Sequence, residues 1–119
     1  MWYSATKVGI IEIDMDHSNV DTMLQLYFSD KIPKTYLEQI IASLIRHFDH
    51  EEKIIASLGQ EFPTSHKLEH AHLTELLETK LTDWKAKKID GKDLAEEIRS
   101  LLLLHVAEFD VHLGESTGG

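Results

Sequence analysis

The chain reads as all-α, an up-down-up-down antiparallel four-helix bundle preceded by an extended N-terminal segment. Three observations predict it. Apolar residues recur at intervals of three and four in four separate stretches, breaker residues divide those stretches, and no run of alternating polar and apolar residues suggests a strand. The breaks are short, which favours antiparallel neighbours. At 119 residues the chain suits one domain with a single modest core. That domain is placed at residues 1–113, with the small polar stretch 114–119 as a flexible tail.

The first helix is expected from about Met15 to Ser29, with His17, Val20, Met23, Leu24 and Tyr27 on one side and Asp14 or Asp16 as a cap. Ser29-Asp30-Lys31-Ile32-Pro33 ends it. The second runs from about Pro33 to Leu58, where either Pro33 occupies the first turn or Thr35 and Glu38 form a capping box. Its inward face reads Leu37, Ile40, Leu44, His47, Glu51, Ile54, Leu58, so that a histidine and a glutamate stand where apolar residues belong. An unpartnered buried charge costs several kcal/mol, so something must satisfy these two.

After Gly59 to Pro63, Thr64 or Ser65 is the expected cap of the third helix, whose inward face reads His66, His70, Leu73, Leu77, Leu81 and Trp84. The turn Ile89-Asp90-Gly91 precedes the fourth helix, with Asp90 as cap and Leu94, Ile98, Leu101, Leu102, His105 and Phe109 inward. Each helix thus carries a possible metal donor on its apolar stripe.

Composition narrows the chemistry. The chain has no cysteine, which excludes thiolate zinc sites, iron-sulfur clusters and disulfides and leaves imidazole and carboxylate as the strong donors. It suits a reducing cytoplasm. A formal charge of -9 argues against nucleic acid and anionic membranes as partners. Residues 1–9 hold no apolar run of the secretory kind, and Leu101 to Leu104 is far too short to span a bilayer, so neither export by that route nor membrane insertion is expected.

On a helix, residues four apart lie about 40° apart around the axis and one turn up, so His47 with Glu51, and His66 with His70, can each reach a common ion. One such pair carries little weight. Two pairs together with His17, His105 and Asp110, with a contribution from every helix, carry much more. Imidazole and carboxylate suit iron. Ferritin-like centres rely on glutamates and two E-x-x-H motifs, of which Glu69 to His72 is a single, unpaired match. His105 and Asp110 stand five apart, roughly 140° around an ideal helix, and this spacing predicts a π-type turn or a break between them.

The order of these pieces resembles the hemerythrin family, and its bacterial single-domain members in particular. Trp2, Val8, Gly9 and Ile10 are similar to the family's opening segment, and Asp14-Met15-Asp16-His17 to its D-x-x-H motif. His47-Phe48-Asp49-His50-Glu51-Glu52 matches H-F-x-x-E-E, His66 to His70 matches H-x-x-x-H, and His105 to Asp110 matches H-x-x-x-x-D. The resemblance implies two iron ions in an oxo- or hydroxo-bridged non-heme centre that binds dioxygen reversibly. It assigns His66, His70 and His105 to one iron, His17 and His47 to the other, and Glu51 and Asp110 as bridges. It further implies an apolar dioxygen pocket formed by Phe48, Leu101, Leu102 and Val106, with Val20 a further candidate. The chain departs from the family at Leu101, where tryptophan is common, and in a shorter segment between His17 and His47.

A carrier, store or sensor of dioxygen is therefore the expected function, and not an enzyme. The alternatives are a di-iron enzyme handling peroxide, nitric oxide or ferrous iron oxidation, and a helical module with a structural metal. His50, His72 and His112 are assigned to the surface, Trp2 and Trp84 to packing, and Glu52 and Lys53 to a solvated face.

Overall fold

The computed structural model describes residues 10–110. The expectations for Trp2, Val8, Gly9, His112 and the tail 114–119 concern residues outside that range. Four helices follow in order: α1 (Ile11–Phe28), α2 (Leu37–Ser57), α3 (Thr64–Lys85) and α4 (Gly91–His105). A short 3-10 turn, Lys34–Tyr36, leads into α2, and a π-helical turn, Val106–Asp110, extends α4. Each helix packs on its neighbour in sequence and α1 closes the square against α4, which is the arrangement of an up-down-up-down bundle.

The core is one continuous cluster. Ile13, Leu24, Leu37, Ile40, Leu44, Leu77, Leu94 and Ile98 are almost wholly buried, with Trp84 and Leu81 packed against them from the side. These residues fall on the stripes that helical periodicity marks, so burial of one face per helix organises the fold. Among the described residues no helix is long and apolar enough to cross a membrane.

Several boundaries differ from expectation. Helix α1 begins four residues earlier than the expected Met15, because Ile13 is fully buried and extends the stripe of His17, Val20 and Leu24 by a turn. Asp14 thus lies in the first turn rather than at a cap, where with Glu12 it complements the positive end of the helix. No side-chain cap bond forms at α2: the 3-10 turn runs straight into the helix, and the Tyr36 amide donates to the Pro33 carbonyl at 2.9 Å. Helix α3 likewise uses neither Thr64 nor Ser65 as a side-chain cap; Pro63 is the cap, and its carbonyl accepts from Lys67. Asp90 caps α4 as expected, accepting from the Lys92 amide at 3.1 Å. Leu58 lies past the end of α2 and is 51% exposed, since Gly59 adopts φ 76° and turns the chain away.

Candidate metal centre

Seven polar residues lie inside this core, near the end of the bundle where α1 and α3 begin and α2 and α4 finish. They are His17, His47, Glu51, His66, His70, His105 and Asp110, each at least 96% buried. Helix periodicity puts them there: His17 continues the Ile13 stripe, His47 and Glu51 follow Leu44, and His66 and His70 precede Leu73 and Leu77.

Asp110 arrives by another route. The π-helical turn closes hydrogen bonds over five residues, so the residue five positions after His105 returns to the same face. The Asp110 Oδ1 atom then stands 3.0 Å from His105 Nε2. The local distortion that the spacing predicted is present.

The donors separate into two groups that share their carboxylates. Glu51 Oε1 is 3.1 Å from His66 Nε2 and 3.2 Å from His70 Nε2, while its Oε2 is 3.2 Å from His47 Nε2. Asp110 repeats the division, with Oδ1 2.8 Å from His66 Nε2 and Oδ2 2.9 Å from His17 Nε2. The atoms of Glu51, His66, His70, His105 and Asp110, and those of His17, His47, Glu51 and Asp110, each gather closely enough to hold an ion.

Whether the residues fit such an ion is decided by what else could satisfy them. The four carboxylate oxygens of Glu51 and Asp110 are buried without a hydrogen bond of ordinary geometry. His17 and His47 bring their Nε2 atoms to 2.9 Å, and His66 and His105 to 3.2 Å. Two imidazole lone pairs at that distance repel unless a proton or a cation lies between them. Two ligand atoms each about 2.1 Å from an ion, at right angles about it, lie about 3.0 Å apart. The spacing therefore fits metal coordination, and the nitrogen and oxygen donors fit iron.

Without a cation, protons must compensate the charge. Burial pushes His47 and His66 down, but nearby carboxylates outweigh it, Asp16 and Glu51 at His47 and Asp110 and Glu51 at His66, and lift both to about 9. His17 is raised for the same reason, burial being overcome by Asp110 and Glu51. Burial pushes Asp110 up, yet the imidazoles of His105, His17 and His66 bring it down to about 2, and Glu51 is also held well below its usual range. The cluster is built for strong positive charge between its rings.

Two carboxylates outside the core act on it, and both escaped the sequence reading. Asp16, expected as a cap, accepts from His47 Nδ1 at 3.1 Å and from His50 Nδ1 at 2.6 Å. Glu52, expected on the solvated face, accepts from His70 Nδ1 at 3.0 Å. His50 is half exposed and His72 is exposed, as expected of surface residues, although His50 has this partner. The Asp16–His47 bond joins positions 31 apart on different helices, and no local pattern marks it.

Aromatic rings enclose the histidines. Phe48 stacks on His70 at 4.6 Å, Phe62 lies 4.6 Å from His66, and Phe109 stacks on His105 at 5.4 Å. Phe62 was not singled out from the sequence, though it stands four residues before His66 at the spacing of the ligand pairs. Of the expected pocket residues, Phe48, Leu101 and Leu102 border a cavity of about 10 Å³ with Leu44, Leu73, Leu77 and His105. Val106 is buried but does not line it. Val20 borders a different, open cleft of about 410 Å³ beside Asp16, His47 and His50.

Curated relatives of similar sequence carry a single name. The chain is 24% identical over 108 residues to a bacteriohemerythrin of Pseudomonas paraeruginosa, 23% identical to one of Pseudomonas aeruginosa and 22% identical to one of Stenotrophomonas maltophilia. Each likeness covers 86% of this chain and 68% of the relative. No family profile and no solved structure matches the chain. The identity is low but sustained over most of the length, and together with the ordered ligand motifs and the four-helix fold it makes this chain similar to the bacteriohemerythrins.

Proposed function

We propose that this protein binds dioxygen reversibly at a non-heme di-iron centre, as a carrier, store or sensor rather than as an enzyme. One observation carries the reading: both oxygens of Glu51 and both oxygens of Asp110 are divided between two groups of histidines, as bridges between two ions require. In this reading His66, His70 and His105 would hold one iron, His17 and His47 the other, and the two carboxylates would serve both. Two ferrous ions, when bound, supply the two electrons that reversible dioxygen binding takes up.

The rest is done by the chain. Three imidazoles on one side and two on the other leave the His17 and His47 side with fewer protein donors, where a small ligand would bind. Beside His105 of the three-histidine group, Phe48, Leu101 and Leu102 border a space about large enough for one water and line it with carbon, so apolar surroundings adjoin the cluster. Buried rings and bridging oxygens exclude bulk solvent and restrict access to larger substrates. The reading takes residues 1–113 as one hemerythrin-like domain with 114–119 as a tail, and places this cysteine-free chain in the cytoplasm.

A visible absorption spectrum of the reduced, iron-loaded protein tests the proposal. Air should produce an oxygen-dependent band that disappears when oxygen is removed, with about two irons per chain by elemental analysis. Irreversible oxidation with release of a product would favour the enzyme instead. One zinc per chain and no oxygen-dependent band would leave only a structural metal module.

A further inference from the structure

Among the described residues, His47 donates Nδ1–H to Asp16 and His70 donates Nδ1–H to Glu52, one such bond in each group. The two groups are unequal. His66 and His105 share the work of His70, whereas His47 has only His17 beside it. A fault in aim at His47 therefore removes half the imidazoles of its group, and a fault at His70 removes a third.

Asp16 has a further connection. It precedes His17 on α1 and bonds His47 on α2, so one residue touches both histidines of the smaller group, the first through the backbone and the second through its carboxylate. The same Oδ2 atom accepts from His50 Nδ1 at 2.6 Å, and Glu12 Oε2 lies 3.9 Å from the other nitrogen of His50. Asp16 is thereby gripped from both sides, by a buried ring inside and a half-exposed ring outside.

We propose that Asp16 is the positioning residue of the two-histidine group, fixing the tautomer and the aim of His47, and that His50 acts through it from the solvent side. This rests on the di-iron reading above. The physical reason is direct: a neutral imidazole that donates from Nδ1 must present the lone pair of Nε2, the form a metal needs, and His47 Nε2 is the atom that faces Glu51 and His17. An anionic acceptor also makes the ring a stronger donor to a metal. Glu52 does the same for His70, where two other rings limit the damage of its loss.

Anaerobic titration of the metal-free, full-length chain with ferrous iron tests the assignment. Wild-type protein should take up two ions. Asp16→Asn should weaken one of the two binding steps by about 10- to 100-fold and leave the other within about twofold. Glu52→Gln should weaken the other step, by less, and His50→Ala should weaken the same step as Asp16→Asn, also by less. Nitrogen-edited NMR of the histidine rings in metal-free protein above about pH 9, where His47 is neutral, should show a single Nδ1–H tautomer in wild type that Asp16→Ala loses while helix content stays that of wild type. Two unchanged steps in Asp16→Asn, or two steps weakened alike, would overturn the proposal. Wild-type protein that binds fewer than two ions would instead overturn the di-iron reading, and the His47 tautomer would still decide the role of Asp16.

Discussion

At the scale of the residue, the seven clustered polar groups of the core define this molecule, and protons would compete with a metal for them. In the metal-free protein the raised values of His47 and His66, about 9 against an ordinary 6.5, mean that the folded state binds protons more tightly than the unfolded state. Their contribution to stability is complete below about pH 6.5 and is lost as pH rises through about 9. Metal-free protein should therefore melt several degrees lower at pH 9 than at pH 6.5. Asp110 acts in the opposite sense: its depressed value supports the fold above about 3.8 and fails as pH falls through about 2. Iron-loaded protein should not share the alkaline loss, because ligand binding requires unprotonated rings, and its metal should leave in acid. Calorimetry of both forms from pH 5 to 9 checks this; a metal-free midpoint that rises toward pH 9 would contradict the assigned charge states. That these seven residues would gather was legible in the sequence, because imidazole and carboxylate at core positions of all four helices need one another or a cation as partner, and the spacing of His105 and Asp110 marked the distorted turn. Asp16 and Glu52 were not, since each lies on a partly exposed face and only tertiary packing brings it to its histidine.

At the scale of the element, helices α2, α3 and α4 were legible to within a few residues, because their apolar stripes are regular and Gly59 and Asp90 mark real boundaries. Caps were less so. Thr35, Thr64 and Ser65 have side chains suited to capping, yet a preceding proline or 3-10 turn supplies backbone carbonyls first. The π-helical turn was legible from arithmetic alone, since five residues cannot return to one face of an α-helix. It gives a sharp test. Deleting Ala107, which is exposed, shortens the spacing of His105 and Asp110 to four and allows a regular α-helical turn. If spacing alone mattered, this variant would keep its metal. We expect instead that it loses at least tenfold in metal affinity, because a tightened turn moves the Asp110 carboxylate along and around the axis, away from His17 and His66. Retention of wild-type affinity in a competition assay would show that the π turn is dispensable.

At the scale of the whole molecule, the bundle buries a cluster of acids and imidazoles that is costly without a compensating cation. Four carboxylate oxygens lie in the core without ordinary hydrogen bonds, and a cation that satisfies them also ties all four helices together. Metal binding and folding are therefore linked. With free metal at about 1,000 times its dissociation constant the folded state gains about 4 kcal/mol, so chelation should lower the melting midpoint by more than about 10 °C. An unchanged midpoint would mean that protons alone satisfy the cluster. The architecture itself was legible because four amphipathic stretches joined by short turns have few ways to bury their stripes.

The π-helical turn also bears on the order in which the chain is made. All five histidines of the centre, and Glu51, leave the ribosome before Asp110 does. Until then Glu51 alone can join the two groups. The π turn that follows α4 would thus serve as a completeness check: without it the chain offers the imidazoles and Glu51 but lacks the second carboxylate that lies against both groups.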